Sequence, residues 1–170
     1  LVIRRQRQMC IRDRLATGDG VAWNQVDTEL SDRIPEVLAR AGEILGRPTL
    51  QQRLDLGIVR WQPLLQVNPA LGERTRFPVQ AYRRELDRIA ACNAASLIPG
   101  AAGSQLAGAH WMNAHAYPVS TTRIHRDLNR RCPETAVFDA RPGARWELKQ
   151  GQLSPLPDSD ILTTEDHTDN

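Results

Sequence analysis

The sequence predicts an α+β fold in which helices occupy the N-terminal half and a small antiparallel hairpin or meander occupies the C-terminal half. Apolar residues recur at helical spacing in three segments, about 32–46, 50–60 and 78–97. Short β-prone runs bounded by proline and glycine follow between about 119 and 156. Because the helices precede the strands and do not alternate with them, this order favours α+β over a parallel α/β sheet.

Start and stop signals delimit the first two segments. Ser31 is a candidate N-cap for the first helix, and Gly46 and Pro48 end it. Thr49 and Gln52 form a capping-box pattern at the start of the second segment. We therefore expect a helix over about 32–46 followed by a shorter helix over about 50–60.

The third segment carries the clearest helical pattern, followed by a change to β-prone sequence. Pro78 suits the first turn of a helix, and Pro99 ends the apolar stripe that follows it. Val and Thr residues then favour short strands near 119–124 and 135–140. A Gln-Gly turn within 145–156 predicts that the last strands form an antiparallel hairpin.

Length and composition indicate one domain, which we place at 15–157. The chain has 170 residues, of which 41% are hydrophobic and 25% are charged, as is typical of soluble globular proteins. It contains no apolar run near the roughly 20 residues of a membrane span, and its three cysteines form no CxxC pair. These features predict a soluble, cytoplasmic protein that does not contact membranes.

Both ends of the chain differ from this domain in charge. Residues 9–14, with the sequence MCIRDR, resemble the translation of a transposon end that is used as a sequencing adapter. We interpret 1–14 as a non-native, adapter-derived segment of a fragment whose own sequence begins near Leu15. The last residues, 158–170, hold five acidic residues and no Lys or Arg, which predicts a disordered acidic tail.

One candidate metal site follows from the expected strand near 119–124. His125 and Asp127 are two residues apart, so on a strand they would share one face. Two histidines and one carboxylate form the facial triad of non-haem iron enzymes, and His167 would be the third ligand. This pattern predicts an oxygenase of cupin-like barrel type that depends on Fe(II) and a 2-oxo acid. A zinc site is another interpretation, with His110, His115, Cys92 and Cys132 as ligands.

The densest basic patch is a candidate binding surface. It comprises Arg123, Arg126, Arg130 and Arg131, with Trp111 and Tyr117 nearby in the sequence. Guanidinium groups and aromatic faces suit phosphates and unstacked bases. Lys149 is the single lysine of the chain, so the patch also fits an ordinary solvated surface on which arginine replaces lysine.

Short enzyme signatures are missing from the sequence. It has no P-loop, dinucleotide fingerprint, GxSxG or HExxH motif. The leading hypothesis is therefore a non-enzymatic binding or accessory domain that uses the arginine patch and needs no cofactor. Its expected partner is nucleic acid or an acidic protein surface, and the iron-dependent oxygenase is the alternative.

Overall fold

The structure is a computed structural model that describes residues 14–16, 19–25, 34–44, 46, 53–63, 77–101, 113, 116–141 and 143–158. The strands are β1 (Arg14–Ala16), β2 (Val21–Asn24), β3 (Leu54–Arg60), β4 (Ala94–Ala101), β5 (Ala136–Val137), β6 (Arg145–Lys149) and β7 (Gln152–Leu156). The helices are α1 (Ile34–Ile44), α2 (Val79–Ala91) and α3 (Thr121–Arg131).

Five strands form the main sheet of the described chain, in the order β1-β2-β3-β4-β5. β1 pairs antiparallel with β2, whereas β2, β3, β4 and β5 are parallel. One described helix connects each parallel pair, and the spatial order of the strands follows the chain. Connections between parallel strands of one sheet are right-handed. Each connection here leads to the next strand in the same direction across the sheet, so α1, α2 and α3 all lie on one face.

The predicted fold class is therefore wrong: the chain is a mixed α/β protein in which strands and helices alternate. The segment 50–60, expected to be a helix, contains β3. The segment 78–97 holds a helix only as far as Ala91, and β4 begins at Ala94. The segment 119–124, expected to be a strand, runs into α3. The helix expected over 32–46 is present as α1.

The error at β3 has a physical cause in the burial of the strand. Leu54, Leu56 and Val59 are all buried, although they do not lie on a single face of the strand. When both faces of a parallel sheet are covered, its strands have apolar residues at consecutive positions. They lack the alternation of apolar and polar residues that marks a strand with one face in solvent. A short apolar run of this kind is compatible with a helix or a strand.

The error after α2 comes from a chain reversal that periodicity does not show. Asn93 has φ 43°, in the left-handed region that ends helices and that asparagine tolerates better than most residues. Leu97 fits the apolar stripe of α2 by spacing, yet it lies in β4, where it pairs with Gly57 of β3. The stripe thus continues across a helix-to-strand boundary.

The core lies between the sheet and the helical layer. Register places Trp23, Gly57, Leu97 and Val137 side by side on one face of four adjacent strands. Buried residues of all three helices join the strands in a single hydrophobic cluster, including Leu38, Tyr82, Ile89, Ile124 and Leu128. This shared cluster agrees with the placement of the three helices in one layer.

The hairpin of β6 and β7 covers the other face. β7 contacts β3 and β4, which are interior strands, so the hairpin lies across the sheet and not at its edge. Phe138 and Trp146 pack edge to face with ring centroids 4.9 Å apart. Gln150 (φ 50°) and Gly151 (φ 77°) form the left-handed two-residue turn that matches hairpin twist. The antiparallel pair expected in 145–156 is thus present.

The predicted non-native segment 1–14 and the predicted acidic tail 158–170 lie outside the described residues except for Arg14 and Asp158. β1 begins at Arg14, and residues 1–13 lie outside the described chain. At the other end, Asp158 forms a salt bridge of 2.7 Å with Arg141, whereas 159–170 lie outside the described chain.

Within the described helices, none has the length and apolar character needed to cross a membrane.

Candidate functional site

The candidate residues of 123–131 lie on α3, whose start is defined by a capping side chain. The hydroxyl of Ser120 accepts a hydrogen bond from the backbone N–H of Arg123 at 3.2 Å. Ile124 and Leu128, four residues apart, are fully buried and hold α3 against the core. The β-prone Val and Thr content near 119–124 is therefore overridden by the cap and the apolar spacing.

The helix removes the geometric basis of the proposed facial triad. On a helix, residues two apart point about 200° apart, so His125 and Asp127 do not share a face as they would on a strand. His167 lies outside the described residues. Within the described part of the chain, no group of three or more His, Cys, Asp or Glu side chains could hold a metal ion. Because the third ligand lies outside the described residues, the Fe(II) site stays a prediction.

The carboxylate of Asp127 is engaged by neighbouring side chains. Its Oδ2 accepts a hydrogen bond from the Tyr82 hydroxyl at 3.0 Å, and its Oδ1 accepts one from Arg126 Nε at 3.1 Å. Arg123 Nε lies 3.5 Å from Oδ2. Burial raises the pKa of Asp127, but the bonds from Arg126 and Tyr82 and the two arginine charges outweigh it and lower the pKa below its ordinary value.

Arg123 packs against aromatic rings of α2 and its N-terminal flank. Its guanidinium carbon lies 3.9 Å from the ring centroid of Phe77 and 5.3 Å from that of Tyr82, as in cation–π contacts. Burial, followed by the hydrogen bond to Asp127, raises the pKa of Tyr82 above its ordinary range. The Tyr82 hydroxyl is thus a permanent donor, and Arg123 is held in place from two sides.

These contacts repeat along the junction of α2 and α3. Arg123 meets Phe77, Asp127 meets Tyr82, and Arg131 forms an ion pair with Asp87. Each step advances four residues on α3 and five along α2 and its N-terminal flank, so the two helices run in the same direction, as expected in a βαβ arrangement. We call this line of contacts the α2–α3 seam.

The solvent side of these two helices is strongly basic. Both helices are described throughout, and five of their six exposed charged residues are arginines: Arg83, Arg84, Arg126, Arg130 and Arg131. We call these five residues the arginine face. The sixth is Asp87, whose side chain is 59% exposed beside that of Arg131 at 55%. The whole chain has 22 basic and 20 acidic residues, so this excess is local.

The remaining candidates from the sequence are dispersed. Tyr117 is half-buried ahead of α3, and Trp111 lies outside the described residues. Of the proposed zinc ligands, His110 and His115 also lie outside them. Cys92 is fully buried, which raises the pKa of its thiol to about 12. Burial also raises the pKa of Cys132.

A second polar group lies where the parallel strands end, and sequence reasoning missed it. Gln25 directly follows β2, Arg60 ends β3, and Gln62 comes two residues later. All three are buried, with exposed fractions of 1% for Gln25, 8% for Arg60 and 2% for Gln62. The carboxyl ends of parallel strands are where α/β proteins bind ligands. With 54–60 recognised as a strand, polar residues directly after an apolar run would have been the signal.

These buried groups are joined through α2. Glu85 accepts a hydrogen bond from Arg60 Nε at 3.2 Å and pairs with Arg88. The thiol of Cys92 lies 3.6 Å from both the Arg88 carbonyl and Gln25 Oε1. A continuous polar chain therefore runs from the end of β2 to the end of β3 beneath α2.

Gln62 performs a structural role at the same end of the sheet. Its Nε2 donates to the Val119 carbonyl at 2.5 Å, and its Oε1 accepts from the Val119 N–H at 3.1 Å. Both residues are buried, and the side-chain amide of Gln62 satisfies the N–H and the carbonyl of Val119 together. Gln62 thereby ties the end of β3 to the segment that leads into α3.

Comparisons with protein-family models, curated proteins and solved structures give no match to this chain.

Proposed function

We propose that this protein is a binding domain that contacts single-stranded nucleic acid through the arginine face. The observation that supports the proposal is the charge of the α2–α3 surface, where Asp87 is the one exposed acid among five exposed arginines. Phosphate neutralisation by such cations supplies most of sequence-independent binding. Guanidinium groups also pair with phosphate oxygens in bidentate fashion.

The spacing on α3 suits an extended backbone. Arg126 and Arg130 are one turn apart, or about 6 Å along the axis, and both side chains reach solvent. Arg123 and Arg126 both contact Asp127, but Arg123 also stacks on Phe77 and its side chain is 39% exposed, against 55% for Arg126. We therefore assign phosphate binding to Arg126 and Arg130, and a positioning role to Arg123.

Salt dependence of oligonucleotide binding tests the proposal. We would measure the anisotropy of a labelled single-stranded oligonucleotide over a salt series, with wild type and an Arg126→Gln/Arg130→Gln variant. The slope of log K against log salt is negative, and removing one phosphate-binding arginine makes it shallower by about 0.7. The double variant should therefore make it shallower by about 1.4. Arg145→Gln is the matched control, because Arg145 is exposed on the hairpin across the sheet.

Three results would contradict the proposal. The first is no binding of wild type at low salt. The second is a slope that is shallower by about 0.7 in the Arg145→Gln control, half the change of the double variant, because an effect of total charge would scale with the number of arginines removed. The third is equally tight binding of a polyglutamate peptide, which would identify an acidic protein surface as the partner.

A further inference from the structure

A separate site is indicated where β2 and β3 end. We propose that these strand ends bind a small oxyanion, the carboxylate or phosphate group of a ligand, through the side-chain N–H groups of Trp23 and Gln25. The inference does not depend on the arginine face, because that face belongs to the solvent side of the helices.

Two buried donors carry the argument. Trp23 is 2% exposed and Gln25 is 1% exposed, and neither Trp23 Nε1 nor Gln25 Nε2 has a hydrogen-bond partner among the described residues. An unsatisfied buried donor costs about 1–3 kcal/mol, so two together are an expensive feature of a fold. The two residues are two apart on an extended chain, so both side chains leave the sheet on the same side.

The charge around these donors selects an acceptor with negative charge. The backbone N–H of Gln25 donates to the Ile58 carbonyl, so Gln25 lies beside the end of β3 that carries Arg60. The side chains of Arg60 and Arg88 both pair with Glu85. Two guanidinium groups thus accompany one carboxylate in the buried layer beneath α2. An oxyanion accepts several N–H bonds at once and is favoured by nearby cations, whereas a further cation would be opposed.

The connections between elements point to the same end of the sheet. Residues 61–78 and 102–120 follow the carboxyl ends of β3 and β4, and the shorter connection 25–33 follows β2. The connections at the opposite end are 45–53, which is as long as 25–33, and the shorter 92–93 and 132–135. Long connections after the carboxyl ends of strands are where α/β folds carry binding residues.

The indole N–H resonance of Trp23 is a direct probe of this site. In ¹⁵N-labelled protein, the Trp23→Phe variant identifies that resonance among those of the four tryptophans. Sodium phosphate and sodium acetate are titrated separately, with sodium chloride as the control for ionic strength. We expect a saturable downfield shift of the Trp23 resonance with one of the two anions, which assigns the ligand group as phosphate or carboxylate.

Trp146 is the matched internal control, because it lies on the hairpin across the sheet. Its resonance should not move. Gln25→Leu should raise the dissociation constant of the anion about tenfold, the loss expected for one hydrogen bond to a charged group. If that variant does not fold, the anion-dependent rise in the melting temperature of wild type should be absent from Trp23→Phe.

The proposal is overturned if neither anion moves the Trp23 resonance, which would leave water as the partner of these donors. It is also overturned if chloride has the same effect as both anions. The Arg126→Gln/Arg130→Gln variant should keep the Trp23 response in full, so failure of the arginine face and failure of this site are distinguishable.

Discussion

The hydroxyl of Tyr82 on α2 donates a hydrogen bond of 3.0 Å to Asp127 on α3, across 45 positions of the chain. The bond is part-buried and lies midway along the α2–α3 seam. It fixes the carboxylate to which Arg126 and Arg123 are drawn. Tyr82, which is 4% exposed, thus positions the carboxylate that holds these two arginines.

Tyr82→Phe should destabilise the protein by about 1–2 kcal/mol, because Asp127 loses a donor in a part-buried setting while the aromatic ring is kept. Urea unfolding gives the change in free energy. A double-mutant cycle with Asp127→Ala should show a coupling above about 0.5 kcal/mol. Additive effects of the two substitutions would mean that the hydrogen bond contributes nothing to stability.

The lowered pKa of Asp127 makes part of the stability depend on pH. Between the folded pKa and the unfolded value of about 3.9, the unfolded chain binds more protons, so stability rises with pH. The contribution is complete above about pH 5 and is lost as the pH falls through the folded pKa. The free energies of unfolding of wild type and Asp127→Asn should therefore differ most near neutral pH and converge in acid. A difference in free energy that does not change with pH would mean that the substitution acts through packing.

The sequence predicted the elements that have strong local signals and failed where tertiary contacts decide. Helix α1 and the hairpin turn at Gly151 follow from apolar spacing and turn chemistry. β3 was missed because burial on both faces erases alternation, and β4 because Asn93 interrupts a stripe that Leu97 continues by coincidence. Without β3 and β4, a parallel sheet could not be inferred.

The candidate site shows the same division. The arginines of 123–131 could be found from their density in the sequence, although not the pairing of Arg131 with Asp87 on another helix. The buried group around Gln25 and Arg60 could not be found, because it exists only once β2 and β3 are adjacent. A wrong secondary structure near 119–124 also supplied the strand geometry on which the His125–Asp127 metal hypothesis depended.

Gly151→Ala should destabilise the hairpin more than Gly46→Ala destabilises the end of α1. Both glycines have positive φ, 77° and 61°, so both substitutions carry a backbone cost of about 1 kcal/mol. A Cβ at Gly151 would also lie 2.9 Å from Asp55 Oδ1, whereas nothing lies within 4 Å of one at Gly46. We expect about 2–3 kcal/mol for Gly151→Ala, from the added steric conflict. Equal costs in denaturant unfolding would show that Asp55 moves aside freely.

Gln62→Leu should be among the most damaging polar substitutions, although it adds an apolar side chain to a buried position. It leaves the N–H and the carbonyl of Val119 without their partner. Each unsatisfied buried group costs about 1–3 kcal/mol, so we expect a loss of about 2–5 kcal/mol in the free energy of unfolding.

Gln152→Leu is the matched control for this substitution, because Gln152 is exposed at the start of β7 and should change stability by less than about 0.5 kcal/mol. Amide hydrogen exchange adds a local readout, since the Val119 N–H should lose protection in Gln62→Leu and keep it in the control. Unchanged protection at Val119 would show that another acceptor can replace Gln62. In that case, the link between the end of β3 and the start of α3 does not depend on this side chain.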